Sequence, residues 1–184
     1  TMIVEGEDSW MFQIPGTQLV QHQAELCGCE WLPVATQGEP EKEVDDLKAA
    51  LSKLEIDGIV SGALRSDYQK TRLERMSEEL GIKSFTPLWH QSSKSHMRNL
   101  VANGFKVMIT GVSTEGLDSE WLGCVLDEES LQDLTRIASK YRFHVDGEGG
   151  EYETLVVAGP HMIGELEIDY VKHWDGVRGH LSFQ

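Results

Sequence analysis

The sequence is poor in basic residues for its length. Its 184 residues include 16 Lys and Arg against 31 Asp and Glu, which gives a formal net charge of −15. Nucleic-acid affinity rests largely on Lys and Arg side chains that neutralise phosphates, so this balance disfavours a broad DNA- or RNA-binding surface. An acidic surface suits a basic partner or a cationic ligand, and the same charge also serves solubility. We therefore predict that the protein does not bind nucleic acid.

Cysteines and long apolar runs are also scarce. Cys27, Cys29 and Cys124 form no Cys-x-x-Cys pair, so neither a disulfide framework nor a zinc knuckle is supported. Cys27 and Cys29 near His22 match no common zinc spacing, and we predict no protein metal site. No apolar run approaches the roughly 18 to 20 residues that cross a bilayer, and no charged-then-apolar leader opens the sequence. We expect a cytoplasmic protein that contacts no membrane.

The first half of the sequence alternates between strand and helix patterns. With 40% hydrophobic residues the chain can build a core. Apolar strands near 31–35, 58–62 and 84–88 are separated by helical patterns, one of which starts at Ser66 or Asp67 and ends at Gly81. This alternation predicts crossover connections and a mainly parallel, Rossmann-like sheet, whose ligands bind beyond the carboxyl ends of its strands. We expect the three strands to pair in parallel in one sheet.

The second half follows a different pattern, typical of a smaller α+β domain. Its elements are helices at 92–103 and 128–141 and strands at 106–112, 154–158 and 165–172. The fold class is therefore α/β with two domains. We place these domains at 1–98 and 99–184, with the boundary between residues 90 and 104.

An acidic, glycine-rich loop at 147–154 is the first candidate site. Its sequence, Gly-Glu-Gly-Gly-Glu-Tyr-Glu-Thr, lies between two short apolar runs. The glycines permit a sharp turn that brings Glu148, Glu151 and Glu153 together, and loops on a rigid scaffold often carry function. The alternative is a solvated hairpin whose glutamates face water.

The turn at 61–72 is the second candidate site, because it combines glycine, hydroxyl groups and cations where a strand leads into a helix. Free N–H groups and the positive end of the helix dipole favour an anion there, and Arg65, Lys70 and Arg72 can meet a phosphate. The alternative is a capped surface helix with solvated charges, since no complete phosphate-binding glycine fingerprint is present.

Three aromatic residues next to the predicted loops are candidates for binding a cation. Trp89, Trp121 and Tyr152 have ring faces that attract quaternary ammonium groups when they lie beside carboxylates. The alternative for each is ordinary core packing.

A series of short segments, spread over almost the whole chain, matches the motifs of one known family in the same order. These segments are Gly38 to Glu43, Gly58 to Leu64 with Tyr68, Gln69 and Arg72, Thr86 to Trp89, Gly111-Val112, Gly116 to Asp118, Trp121 to Gly123, and Gly147 to Thr154. Together they resemble the diphthine-ammonia ligase family, which belongs to the N-type ATP pyrophosphatases. The resemblance implies a HUP-type nucleotide-binding domain at 1–98 and a substrate-recognition domain at 99–184.

The resemblance also implies a reaction, the last step of diphthamide synthesis on translation elongation factor 2. ATP with Mg²⁺ adenylates the carboxylate of diphthine, pyrophosphate leaves, and ammonia displaces AMP. The implied roles are catalytic for Glu148, Glu151 and Glu153, ATP-binding for Gly62, Ser66, Gln69 and Arg72, and substrate-binding for Trp89, Trp121, Gly149, Gly150, Tyr152 and Thr154. There are two alternatives. One is an ATP pyrophosphatase whose acceptor is another acid or tRNA, and the other is a non-catalytic binding module.

One part of the family pattern is missing. Members open with a strand that carries a Ser-Gly-Gly-Lys-Asp-Ser phosphate loop, whereas the stretch at 6–9 here has neither the glycine pair nor the lysine. We expect the chain to be a fragment, inactive alone, of a longer protein that carries the activity; a natural relative that binds without catalysing is the alternative. The sequence leaves the oligomeric state open, including a homo-oligomer.

Overall fold

The computed structural model describes residues 1–6, 9–14 and 16–184, so two residues of the stretch at 6–9 lie outside the described part. A 3₁₀ turn at Thr17–Leu19 accompanies the following helices and strands: β1 (Met2–Val4), α1 (Val20–Leu26), β2 (Val34–Thr36), α2 (Lys42–Leu51), β3 (Gly58–Val60), α3 (Asp67–Leu80), β4 (Lys83–Phe85), α4 (Ser93–Ala102), β5 (Lys106–Val112), α5 (Glu128–Tyr141), β6 (Tyr152–Ala158), β7 (Tyr170–Trp174) and β8 (Gly179–Phe183). The α/β class predicted from the sequence is confirmed.

The chain forms two compact units. The N-terminal unit comprises residues 1–18 and 31–91, and the C-terminal unit comprises residues 19–30 and 92–184. Helix α1 belongs to the C-terminal unit because Leu19 is buried in its core and the Gln23 side chain donates to the Val156 carbonyl at 2.7 Å. The sequence-based division at 98/99 placed residues 19–30 in the first domain, and nothing in the sequence indicated that they pack with residues 92–184.

In the N-terminal unit the strands pair in parallel, as predicted, but not in one sheet. β1 pairs with β2 and β3 pairs with β4, which gives two separate two-stranded sheets among the described residues. The prediction of a single sheet is therefore wrong for the described chain. Each of these strands has only three residues, and an apolar run of that length identifies a strand without identifying its neighbour.

The predicted strand at 31–35 is also shifted. Pairing starts only at Val34, and Leu32 is exposed rather than buried. Pro33 has no N–H to donate, so it is poorly suited to a place inside a sheet ladder.

Helix α3 has the ends that the sequence predicts. The Ser66 side chain accepts from the Gln69 N–H at 3.3 Å, and Gly81 ends the helix in the left-handed conformation at φ 70°. One face of the helix buries Met76 in a small core together with Met11 and Val44. These contacts fix α3 and the turn before it.

The C-terminal unit is built on an antiparallel sheet in the order β6-β5-β8-β7. Helix α5 matches its predicted bounds, begins at a capping box between Asp127 and Ser130, and buries Leu134 in the main core. The predicted strand at 165–172 is right only for its last three residues, because β7 begins at Tyr170, and β8 was not predicted. Leu166 is nevertheless buried, so its apolar character reflects core packing without a strand ladder.

Among the described helices, none is long and apolar enough to cross a membrane.

Candidate functional site

The acidic loop between Val145 and β6 is a compact turn held by its own backbone. The Gly147 N–H donates to the His144 carbonyl at 3.0 Å, and the Gly150 N–H donates to the Gly147 carbonyl at 2.9 Å. Gly147 and Gly150 have φ of 72° and 77°, values that side chains disfavour. A Cβ at Gly147 would also lie 2.9 Å from the Tyr152 carbonyl oxygen, so the loop requires glycine there.

Glu151 uses both of its carboxylate oxygens to brace this loop. Oε1 accepts from the His144 N–H at 3.0 Å and Oε2 accepts from the Gly149 N–H at 2.8 Å. Hydrogen bonds to an ionised acceptor are stronger than neutral ones, so this carboxylate holds the turn closed. The position predicted to be catalytic thus also has a structural task.

Ser113, which follows β5, also holds the loop, and the sequence reasoning missed it. Its hydroxyl donates to the Gly150 carbonyl at 2.5 Å, and its N–H donates to the Glu151 carbonyl at 2.9 Å. The signal lay in strand pairing: β5 pairs antiparallel with β6, which brings the end of β5 to the loop that precedes β6. Predicting that pairing would have revealed Ser113.

Tyr152 lies in the core rather than on the loop surface. It is only 3% exposed, and its hydroxyl donates to the Val145 carbonyl at 2.5 Å. Burial, with smaller contributions from Asp146 and Glu151, raises the pKa of Tyr152 above its ordinary value. The structure therefore places the ring where it supports the loop.

Glu153 lies on β6 opposite Gly111, next to a register irregularity in β5. A Cβ at Gly111 would lie 3.3 Å from both Cβ and Cγ of Glu153, so the glycine leaves room for the glutamate stem. Partial burial raises the pKa of the Glu153 carboxyl group. A carboxyl group shifted in this direction exchanges protons closer to neutral pH, which is a property of general acids and bases.

The remaining predicted residues of the C-terminal unit have separate placements. Glu148 is partly exposed, whereas Gly149 and Gly150 are exposed on the loop. Thr154 follows on β6, opposite Ile109. Trp121 is partly buried against the core, in a turn whose Gly123 N–H donates to the Ile109 carbonyl at 2.8 Å.

A groove of about 310 Å³ adjoins the acidic loop, lined by Ser92, Ser93, Lys94, Thr135, Ala138, Ser139, Phe143, His144 and Val145. His144 connects groove and loop, because its N–H is the donor to Glu151. Lys94 disfavours a cationic ligand in the groove, whereas the loop carboxylates favour one. The groove therefore favours a neutral or anionic ligand, whereas the acidic loop favours a cationic one.

The turn at 61–66 joins two strand ends in the N-terminal unit. The Ser61 N–H donates to the Phe85 carbonyl at 2.8 Å and the His90 N–H to the Leu64 carbonyl at 2.9 Å. Arg65 also reaches the Gln91 carbonyl, at 2.6 Å. These bonds hold together the turns that follow β3 and β4, at the sheet edge where parallel folds bind ligands.

Gly62, Ser66 and Gln69 surround the start of α3. Gly62 is exposed, with open space where a Cβ would be, and the Ser66 hydroxyl caps the helix. The Gln69 side chain donates to the Met11 carbonyl at 3.0 Å, which connects the helix to the turn after β1. Turns after three strands thus meet around this helix start.

Two cations of this turn, Lys70 and Arg72, already have acidic partners. Arg72 Nε donates to Glu41 Oε1 at 2.9 Å, its guanidinium lies 3.4 Å from the Tyr68 ring centroid, and Lys70 forms an ion pair with Glu74. Exposed ion pairs contribute only about 0 to 1 kcal/mol, so a polyphosphate with several charges can displace such partners. The turn can therefore hold a nucleotide if the phosphates displace Glu41 and Glu74 from the two cations.

Trp89 lies beside the same turn and contacts two other side chains. Its ring stacks on His90 with centroids 4.6 Å apart, and Lys70 Nζ lies 5.3 Å from the ring centroid. It therefore already takes part in a cation–π contact within the N-terminal unit. In the part of the chain that the structure describes, no group of three or more His, Cys, Asp or Glu residues is arranged to hold a metal ion.

Comparison with known proteins gives matches along nearly the whole chain. The profile described as "Diphthamide synthase N-terminal domain" matches residues 1–84, and that described as "Diphthamide synthase C-terminal domain" matches residues 92–184. Curated relatives named diphthine-ammonia ligase include those of Mus musculus, 33% identical, and Homo sapiens, 31% identical, each over 88% of this chain.

The chain spans 66% of the length of the mouse and human relatives. The Danio rerio relative of the same name is 31% identical, and the match covers 88% of this chain and 69% of that protein. Two successive domain profiles and several relatives agree, and the chain therefore belongs to the diphthamide synthase family.

Proposed function

We propose that the chain is part of an enzyme that amidates diphthine on translation elongation factor 2. ATP, diphthine and ammonia would give AMP, pyrophosphate and diphthamide. Support comes from the relatives, which are named diphthine-ammonia ligase. The observation that carries the proposal is the braced loop at 147–153, which presents carboxylates on a rigid turn.

ATP is required because an ionised carboxylate is a poor acyl donor. Transfer of AMP to the diphthine carboxylate expels pyrophosphate and forms an acyl-adenylate. Ammonia then attacks the acyl carbon, AMP leaves with the electron pair of the broken C–O bond, and the nitrogen releases a proton. The product is the amide.

The N-terminal unit takes the nucleotide in this proposal. Gly62 leaves open space at the turn, the positive end of the α3 dipole favours phosphate, and Arg72 supplies a cation once Glu41 is displaced. Mg²⁺ would enter with ATP, because this ion usually keeps several waters and binds the substrate phosphates with few protein ligands.

The acidic loop takes the cationic acceptor and the amine in this proposal. Glu148 provides negative charge for the trimethylammonium group of diphthine, Glu151 holds the loop in shape, and Gly149 and Gly150 permit close approach. Glu153 accepts the proton that the attacking nitrogen releases, a role that suits its raised pKa. The reaction would take place in the cytoplasm, where the free Cys27, Cys29 and Cys124 stay reduced.

Reconstitution tests the proposal. The full product of the gene is incubated with ATP, Mg²⁺, an ammonium salt and elongation factor 2 in its diphthine form. AMP release is measured together with the mass of the modified peptide. We expect AMP and amide in equal amounts, and we expect both to depend on ammonium.

Three controls sharpen this assay. Elongation factor 2 without diphthine should give no AMP, and the 184-residue chain is assayed beside the full product to locate the activity. AMP formation with a small acid but not with diphthine would assign a different acceptor. ATP binding without AMP formation under any condition would make the protein a binding module.

A further inference from the structure

Trp10 has an exposed indole on an anchored turn. The residue is 65% exposed, although Trp residues are highly buried on average. The neighbouring Ser9 hydroxyl accepts from the Met11 N–H at 3.2 Å and the Phe12 N–H at 2.9 Å, and it donates to Glu43 at 2.5 Å. The bonded turn therefore holds the indole in a defined place on the surface, where a ligand can contact it.

Glu43 is the anchor of this turn. It is completely buried on α2, and its second oxygen, Oε1, has no hydrogen-bond partner among the described residues. A buried carboxylate is costly to place in a core unless its contacts repay the lost hydration. Here the contact it makes is with Ser9, so the carboxylate fixes the turn that presents Trp10.

The same turn is bonded to the proposed nucleotide site. The Gln69 side chain donates to the Met11 carbonyl at 3.0 Å. The Trp10 and Tyr68 rings meet edge to face, with centroids 5.7 Å apart, and the Arg72 guanidinium lies over the Tyr68 ring. A continuous series of contacts thus leads from the residue proposed to meet phosphate to the exposed indole.

We propose that Trp10 is a further nucleotide-binding residue, whose indole stacks on the adenine base of ATP; this assignment rests on the proposed ATP site. A planar heteroaromatic base matches an exposed indole face, and every nucleobase offers such a face. The trimethylammonium group of diphthine is a poorer match, because Arg72 already places a cation in this group of rings and would repel a second one.

Calorimetry on the full product of the gene tests the assignment with two ligands, ATP and inorganic tripolyphosphate, both with Mg²⁺. Base stacking of this kind contributes about 1 to 3 kcal/mol, so Trp10→Ala should weaken ATP binding by about 5- to 140-fold. Trp10→Phe keeps a ring and should restore most of the affinity. Tripolyphosphate has no base, so neither variant should change its binding.

Leu54→Ala is the matched control, because it removes an exposed apolar side chain that lies in the same unit but precedes β3, whereas the turn at 61–66 follows that strand. It should leave ATP binding unchanged. Equal weakening of ATP and tripolyphosphate by Trp10→Ala, or no weakening of either, would overturn the stacking assignment while the ATP site stands. An effect of Trp10→Ala on elongation factor binding alone would also overturn it. Failure of the unmodified protein to bind ATP would overturn the proposed function itself.

Discussion

Glu151 offers the sharpest test of how the acidic loop is built. Replacing it with alanine removes two hydrogen bonds from backbone N–H groups, at 3.0 and 2.8 Å. A hydrogen bond to a charged group contributes about 1.5 to 3 kcal/mol, and partial exposure reduces each of these two bonds to about 1 to 2 kcal/mol. We therefore expect Glu151→Ala to lower the free energy of unfolding by about 2 to 4 kcal/mol.

The variant Glu151→Gln keeps the shape of the side chain and removes its negative charge, so it tests the two contributions separately. Glutamine keeps one acceptor oxygen but turns an NH₂ donor toward the second backbone N–H, so about half of the loss, roughly 1 to 2 kcal/mol, should remain. Urea denaturation followed by circular dichroism measures both variants. Amide hydrogen exchange provides a local readout, because the N–H groups of His144 and Gly149 should lose protection in each variant.

Glu167→Gln is the control for this series. It removes one negative charge from an exposed position in the same unit, and surface substitutions usually change stability by less than about 0.5 kcal/mol. If Glu151→Ala is as stable as the control and exchange at His144 and Gly149 is unchanged, the carboxylate does not brace the loop. The loop would then be the solvated hairpin that its composition also allows.

Three further predictions follow from single side chains. Arg72→Ala should weaken ATP binding to the full gene product by roughly 1.5 to 3 kcal/mol, measured by calorimetry, while loss of its ion pair with Glu41 and its contact with Tyr68 should lower the free energy of unfolding by only about 1 kcal/mol. Glu43→Ala should lower the free energy of unfolding by about 2 to 4 kcal/mol in urea titrations, because it leaves a cavity and releases Ser9. Burial raises the pKa of Glu153, so the folded protein holds this proton more tightly than the unfolded chain does. The stability that the protonated group contributes is therefore complete below the ordinary glutamate pKa, and it is lost as the pH rises through the raised pKa of the folded state. Glu153→Gln should therefore have a higher melting temperature than the wild type at neutral pH, and the difference should vanish in acid; a constant difference contradicts this reasoning.

The helices were predictable because their signals are local. Ser66 and Gly81 end α3 where the sequence places them, and α5 follows its capping residue Asp127. A helix closes its hydrogen bonds within four residues, so its own sequence contains most of the information. The same holds for the left-handed glycines of the acidic loop.

Strand partners were less predictable because the partner lies far away in the chain. The short strand β8 pairs with both β5 and β7, although about 70 residues separate Gly111 from His180. Ser113 was missed as a loop contact for the same reason. The assignment of α1 to the C-terminal unit depends on contacts such as Gln23 with Val156, which no local pattern predicts.

The three glutamates of the loop illustrate why a motif cannot be interpreted by counting its charges. The sequence groups Glu148, Glu151 and Glu153 as equivalent carboxylates, yet Glu151 is engaged by two backbone N–H groups and Glu153 is held over Gly111 on a strand. A carboxylate that accepts two N–H bonds has less of its charge available for a ligand, because those donors already stabilise it. In the proposed reaction Glu151 therefore sets the shape of the loop, while Glu148 supplies charge and Glu153 exchanges the proton. Substitutions at the three positions should accordingly differ in kind: loss of stability at 151, weaker binding of the cationic acceptor at 148, and an altered pH profile of AMP release at 153.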